Sequence, residues 1–371
     1  MNNKNFEVYL DFGSSKIRAG AFNKNNSINN FYYESDYYTD YLNSGSEIEK
    51  IILHLEKNTK EYLNDINLML DSPESLAVGI SLFKNFDGSK LKKKDIQFLI
   101  QEAKQQILSN YLNLNIVHII IKNYKVDNID YTLLPTDVIC NLLSIDIIFI
   151  CLPKKILEDL KTLFFKYDIS INQIFCSSYA KSINYKDNFS STESISFIDM
   201  GFNKTSITSY NNNEINFFHV LPIGGNHITK DLSKVLNIDL IKAENIKLCF
   251  DKNENFIKDK EFSSDLVQKI IFARIEEILE LCIKSIKLNS NFDDSPISKI
   301  VLMGEGSRIL DNKFKEKISF SPEIDLLEES SEGICESALK LSKGLNKQEV
   351  VVVPRKQIKE GFFARLFHLF K

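Results

Sequence analysis

The sequence predicts an α/β fold made of two similar lobes, and three observations carry that prediction. The first is a strand that ends in a tight turn and doubles back. Phe6, Val8 and Leu10 alternate, Asp11-Phe12-Gly13-Ser14-Ser15 forms the turn, and Lys16–Phe22 returns as a second strand. The second is the same unit repeated about 190 residues later, where Ser194–Ile198 runs into Asp199-Met200-Gly201 and Thr205–Tyr210 returns. The third is a strand at Lys299–Met303 that ends in Gly304-Glu305-Gly306-Ser307 and leads into a helix. Between these points strands alternate with amphipathic helices, the pattern of a mixed α/β chain.

Each remaining element follows from its spacing. Ile48, Ile51, Ile52, Leu55 and Tyr62 recur near helical period, so Glu47–Leu63 is expected to be a helix. Leu76–Phe83 reads as a strand. Ile96, Leu99, Ile100, Ala103, Ile107 and Tyr111 mark a long amphipathic helix. Val117–Tyr124 and Ile145–Leu152 read as strands, and Pro153 opens a helix through about Phe165, since proline suits a first helical turn. Further helices are expected at Ile228–Leu236, Ala243–Leu248 and Asp265–Leu288, the last with Leu266, Ile270, Ile275, Ile278, Cys282 and Ile286 on one face.

The chain has 371 residues, enough for two domains or more, and 43% hydrophobic with 26% charged residues is ordinary globular composition. The net charge of -4 hides an asymmetry: Arg355–Lys371 holds five basic residues and one acidic, so the rest of the chain is acidic. An acidic body argues against nucleic acid as the partner. Six scattered cysteines without CxxC spacing read as reduced, mostly buried thiols. The opening residues run almost directly into a strand, so no leader peptide is expected. Ile145–Leu152 is too short for a spanning helix and reads as a buried strand.

At the other end, Ile358, Phe362, Phe363, Leu366, Phe367 and Phe370 share one side of a helical wheel. Lys356, Lys359, Arg365, His368 and Lys371 lie on or beside the other side. Such a helix is expected to lie in an anionic membrane surface, apolar side down, with Phe362, Phe363, Arg365, Leu366, Phe367, Phe370 and Lys371 in contact. Burying each Phe or Leu is worth roughly 1.5–3 kcal/mol, and each basic residue adds about 1 kcal/mol near anionic headgroups. Partial insertion of one tail gives reversible binding, and many tails on one assembly give firm attachment.

The chain has no Walker lysine loop, full GxGxxG fingerprint, zinc spacing, HExxH or GxSxG elbow. What it has is the set of three strand-end turns. A hairpin with glycine and hydroxyl residues can aim backbone N–H groups at a phosphate. An aspartate at the strand end can hold Mg²⁺, usually through water. Two such hairpins would grip a polyphosphate from both sides, and a third glycine-rich turn would let the backbone approach an adenosine. Any one such turn alone is an ordinary hairpin. The order and spacing of the three, with Leu221-Pro222-Ile223-Gly224-Gly225 just after the second, make the pattern.

Those stretches resemble the actin–Hsp70–sugar-kinase superfamily and, within it, the FtsA family of bacterial cell-division proteins. The resemblance rests on LDFGSSKIRAG (10–20), FIDMGFNKTSITSY (197–210), LPIGGNHITKDL (221–232) with AENIK (243–247), IVLMGEGSRIL (300–310) and the amphipathic end. It implies an actin-like (ribonuclease H-like) two-lobe fold with an inserted subdomain 1C. The expected division is 1–81 and 167–193 as subdomain 1A, 82–166 as 1C, 194–230 and 297–344 as 2A, and 231–296 as 2B. A linker at 345–357 and a membrane-targeting helix at 358–371 follow. The ligand implied is ATP with Mg²⁺, with Asp11 and Asp199 near the metal through water. Gly13, Ser14, Ser15 and Lys16 would form the first phosphate loop, and Asp199, Gly201 and Thr205 the second. Gly224 and Gly225 would pass close to the phosphates, Glu244 and Lys247 would touch ribose or adenine, and Gly304, Gly306 and Ser307 would form the adenosine motif.

The family further implies self-assembly into filaments, FtsZ and other division proteins as partners, and a place at the septum on the cytoplasmic face of the inner membrane. At most a weak ATPase is expected. A pilus-assembly-type actin-like protein and a small-molecule kinase of the same superfamily are the other readings. The chain also departs from its relatives, whose second loop reads close to D-x-G-G-G-T-T. Here Phe202 and Asn203 replace glycines, and Glu305 stands where glycine is usual. Lys204 either contacts phosphate or is a solvated loop lysine. These departures weigh against hydrolysis more than binding, because a poorly formed loop positions an attacking water badly.

Overall fold

The computed structural model describes residues 5–25, 29–37, 44–131, 133, 135, 137–189, 194–251, 262–289, 299–310, 323–344 and 349–350. The first lobe begins with β1 (Phe6–Phe12), β2 (Ile17–Asn23) and β3 (Phe31–Glu34), an antiparallel meander. Then come α1 (Gly45–Thr59) and β4 (Asp65–Leu70), which pairs in parallel with β1. After the inserted unit, α3 (Lys154–Phe165) leads to β9 (Ser170–Cys176), parallel to β4. The resulting sheet order is β3-β2-β1-β4-β9.

The second lobe repeats this topology. β10 (Ser194–Met200), β11 (Thr205–Asn211) and β12 (Glu214–Leu221) form the meander. β13 (Lys299–Met303) lies parallel to β10, and β14 (Glu323–Leu326) parallel to β13, giving the order β12-β11-β10-β13-β14. Between β12 and β13 lie α5 (Gly225–Leu236), α6 (Leu240–Asp251) and α7 (Ser264–Asn289). The core face of α7 is Val267, Ile271, Ile275, Ile278, Cys282 and Ile286. That stripe is turned by one residue at its start from the expected face, since Leu266 is exposed and Ile270 only partly buried. Val267 and Ile271 stand eight and four positions before Ile275, so they continue its stripe.

The inserted unit is β5 (Leu76–Lys90), α2 (Lys93–Asn110), β6 (Leu114–Val126), β7 (Ile129–Tyr131) and β8 (Ile139–Pro153). Its strands pair antiparallel in the order β6-β8-β5. β8 shows why its sequence is an almost continuous apolar run. Ile145, Ile147, Phe149 and Cys151 enter the core beneath α2, while the alternating Ile148, Ile150 and Leu152 enter the core of the first lobe. Both faces of the strand are buried, so the period-2 signal vanishes from the sequence. The expected break at 81/82 falls inside β5, and Leu157, Leu160 and Phe164 of α3 belong to the first-lobe core.

Two helices lie between the lobes' sheets: α4 (Ser177–Lys186) and α8 (Ser331–Ser342). The first-lobe core draws in Tyr179, Ala180 and Ile183 of α4, Ile334, Cys335 and Ala338 of α8, and Phe197, Tyr210, Val301 and Met303 of the second lobe. One apolar cluster therefore runs through the hinge region. The stretch expected as a bare linker contains β15 (Glu349–Val350), which pairs antiparallel with Ile120 and Ile119 of β6. Glu349 there meets buried His118 at 2.6 Å, which gives this short strand a polar anchor. The membrane-tail residues 358–371, and residues 311–322 directly after the third turn, lie outside the described residues. No described helix is long and apolar enough to cross a membrane, and none of the six cysteines forms a disulfide.

Candidate functional site

The two repeated hairpins face one another across the cleft between the lobes. Each is a four-residue loop closed by the same bond: Gly13 N–H donates to Lys16 O at 3.0 Å, and Gly201 N–H to Lys204 O at 2.9 Å. A Cβ on Gly13 would lie 2.7 Å from the Lys16 carbonyl, so the tight first turn requires glycine. The third corner is Gly304, with φ 91° and ψ 160°, a region essentially confined to glycine. A Cβ there would meet Asp199 Oδ1 at 2.4 Å and Met200 O at 2.5 Å. Asp11, Gly13, Ser14, Ser15, Lys16, Asp199, Gly201 and Gly304 all line this cleft. Three glycine corners drawn from distant parts of the chain thus meet around one cavity.

The other expected residues pack behind the cavity. Thr205 is buried and donates its hydroxyl to Ile223 O at 2.7 Å. Gly225 N–H donates to Gly201 O at 2.9 Å and Asn226 N–H to Phe202 O at 2.7 Å, so the first amides of α5 are spent on the second loop. A Cβ on Gly224 would stand 2.5 Å from Gly201 O, which explains the glycine. Glu244 and Lys247 are buried and paired with each other at 2.6 Å, and Lys247 also donates to Thr229 at 2.8 Å. Burial pulls the Lys247 ammonium below its ordinary range, with Glu244 opposing. Gly306 lies against Met200 and Gly201, and Ser307 donates to Gly304 O within a 3-10 turn, Glu305–Ile309.

A network of charges that the sequence reading did not anticipate fills the cleft. Asp11 accepts from Ser177 Oγ at 2.6 Å and faces Arg18 at 3.4 Å. Arg18 also pairs with Glu305 across the cleft and with Glu34 at 3.3 Å. Asp199 is held by Lys181 at 2.9 Å and lies 3.8 Å from Lys204. Lys181 reaches Glu329 at 3.1 Å, and Glu329 accepts from Gly304 N–H at 2.8 Å. Lys204 is neither solvated nor free for a phosphate. It is buried and bonded to Asp71 at 2.5 Å, Ser206 at 2.6 Å and Ser178 at 3.1 Å.

Electrostatics follow from this packing. Burial alone would raise the Asp199 carboxyl, but Lys181 and Lys204 outweigh it and hold it below the usual range. Burial alone would lower both lysines. Asp199 and Glu329 raise Lys181, and Asp71 and Asp199 raise Lys204. Burial pushes Asp11 upward against the pull of Arg18 and Lys181, and it pushes Glu329 upward as well. Signals for these residues were faint in the sequence. Arg18 is a charge within an otherwise apolar strand, and Lys204 stands in a glycine-containing turn. Asp71, Lys181 and Glu329 have no local signature at all.

These residues do not fit magnesium nucleotide in the arrangement found. Mg²⁺ favours six oxygen ligands and usually keeps several waters, whereas Asp11 and Asp199 already face side-chain cations. The cavity measures about 70 Å³, against roughly 300 Å³ or more for ordinary small-molecule pockets.

Comparison with known proteins comes from sequence and fold. A family model described as "Cell division protein FtsA" matches residues 196–299, which run from β10 through α7. The FtsA of Streptococcus pneumoniae serotype 2 is 28% identical over 142 residues, covering 34% of this chain and 31% of that protein. The chain thus matches under a third of the length of that relative. The FtsA of Buchnera aphidicola subsp. Acyrthosiphon pisum is 23% identical over 311 residues, covering 75% of this chain and 73% of that protein. Among solved structures, the PilM–PilN type IV pilus biogenesis complex superposes with a TM-score of 0.62 at 12% identity, covering 90% of this chain and 98% of that chain. Sequence similarity to the FtsA cell division proteins is concentrated in the second lobe, and the actin-like fold extends over both lobes.

Proposed function

We propose that this chain is a division scaffold of the FtsA kind. It associates with copies of itself, binds FtsZ, and holds FtsZ filaments to the cytoplasmic face of the inner membrane at the septum, where other division proteins gather. The observation that carries this reading is the family match over 196–299, which lies within a second lobe that repeats the topology of the first. The Phe-rich basic end, 358–371, supplies the membrane contact. Its reach begins at the inserted unit, because Glu349–Val350 is stitched to β6. The wider family's ligand at this cleft is ATP with Mg²⁺. In this chain its entry would require the lobes to part and the Lys204–Asp71 and Lys181–Asp199 pairs to break. Catalysis is not the main task on this reading. A pilus-assembly role has only the fold likeness to the PilM–PilN complex behind it.

Co-sedimentation with vesicles of phosphatidylglycerol and phosphatidylethanolamine tests the reading. The full chain should carry FtsZ into the pellet, and a chain ending at Gln357 should leave both proteins in the supernatant. Equal sedimentation with and without the tail refutes the membrane role, and full-chain pellets without FtsZ refute the tether.

A further inference from the structure

We infer that the cleft is latched shut by the protein's own side chains, which stand where a magnesium nucleotide would, so that the two lobes close without ATP. The inference does not depend on the tethering role, because it rests on the contents of the cleft.

Three ion pairs cross from lobe to lobe. Lys204 of the second loop reaches Asp71, which follows β4 of the first lobe, at 2.5 Å. Lys181 of α4 reaches Asp199 at the end of β10, at 2.9 Å. Arg18 of β2 reaches Glu305 beside the third glycine corner. In a nucleotide-clasping fold the ligand supplies the charges that both lobes grip. Here each lobe grips the other's side chains directly, and the two strand-end aspartates already face lysine or arginine.

The adenosine end is filled as well. The ring centroid of Phe202, in the second loop, lies 5.2 Å from Lys247 Nζ, a cation–π distance. Tyr37 comes from the first lobe and meets Phe202 edge-on, with centroids 5.7 Å apart at 86°. The two rings form an interlobe contact over the buried Glu244–Lys247 pair. The amides that would receive phosphate at the start of α5 are also committed, to Gly201 O and Phe202 O. A base would have to displace an aromatic pair, and a phosphate would have to displace an ammonium group already bonded to three partners. Phe202 and Lys204, both in the second loop, therefore build the latch together.

The test uses the full-length protein with ATP and MgCl₂ as the probe, in isothermal titration and thermal unfolding. The expected result is no saturable heat and no rise in Tm at millimolar ATP. Saturable binding that raises Tm, as a ligand specific for the folded state must, overturns the latch. A second arm introduces small residues with Phe202→Gly and Lys204→Thr together. A double variant that is folded by circular dichroism and gains an ATP-dependent rise in Tm supports the assignment. A folded double variant that stays blind to ATP overturns the claim that these two residues fill the site. Vesicle and FtsZ binding are read separately. A wild-type chain that binds ATP sinks the latch and leaves the tether standing, whereas loss of FtsZ or vesicle binding bears on the tether alone.

Discussion

Replacing Lys204 by Met probes the cleft most directly. The ammonium of Lys204 is buried and touches Asp71 at 2.5 Å, Ser206 at 2.6 Å and Ser178 at 3.1 Å. Met keeps much of the stem volume and removes the charge. Asp71, whose side chain is 9% exposed, is then a carboxylate with no cation in contact, and Asp199 loses one of its two neighbouring ammonium groups. Removing one partner of a buried pair costs about 3–5 kcal/mol, because the surviving charge stays buried and uncompensated. Asp71→Leu alone is costly for a different reason: it strips the acceptor from Ser178 N–H at 3.0 Å and from Ser178 Oγ at 2.7 Å. The double variant should therefore cost less than the sum of the two singles, by about 1–3 kcal/mol of coupling. The assay is urea unfolding followed by circular dichroism and tyrosine fluorescence, the chain having no tryptophan. The two probes must report one transition before a free energy is taken. A Lys204→Met variant within about 0.5 kcal/mol of wild type, as for an ordinary surface change, would refute the buried-latch reasoning. So would strictly additive effects.

Three further outcomes follow from particular contacts. Gly304→Ala should destabilise by about 2–5 kcal/mol, combining strain at positive φ with overpacking, because its Cβ would fall 2.4 Å from Asp199 Oδ1. A Tm equal to wild type would show that the corner relaxes. Glu34 is driven down to about 2: burial would raise it, but hydrogen bonds from Lys16 and Ser331 and the charge of Arg18 prevail. Its stabilisation is complete above the ordinary value of 4.5 and disappears as pH falls through about 2. Glu34→Gln should therefore lower Tm at pH 7 and converge on wild type toward pH 2, and parallel Tm profiles would exclude this cause. Glu349→Ala removes the partner of His118 Nδ1, while Cys176 N–H still donates to His118 Nε2 at 2.8 Å. Leaving a buried ring nitrogen unpaired costs about 1–3 kcal/mol, and amide exchange at Ile119 and Ile120 should speed up. Unchanged exchange would mean that the strand is held by its backbone bonds alone.

The sequence by itself determined the repeated hairpins, the amphipathic helices and the three glycine corners. Each of these is local: alternation, helical spacing, or a turn whose carbonyl lies within a few residues. Gly13 and Gly201 are legible because the carbonyl that excludes a side chain at Gly13, that of Lys16, and the one that crowds it at Gly201, that of Lys204, are three positions away. Among the elements that escaped, β4, with its INLML core, β9, the small-residue-rich α4, and β15 inside an expected linker are short or lack period; β3, β7, β12, β14 and the helix α8 escaped as well. For the two-residue β15, sheet partners and a buried histidine decide the conformation, and neither is nearby in sequence.

Only the tertiary structure decided what the cleft contains. Lys204 and Asp71 are 133 positions apart, and Arg18 and Glu305 are 287 apart. No window along the chain carries those pairs. Taken alone, Lys204 was equally a phosphate contact or a solvated lysine, and the fold made it neither by placing a carboxylate from the other lobe against it. Glycine geometry is written along the backbone, whereas charge compensation depends on which distant strands end at the same place. That is why the outline of a nucleotide clasp was visible in the residues, and why its occupation by the chain's own lysines, arginine and aromatic rings was not.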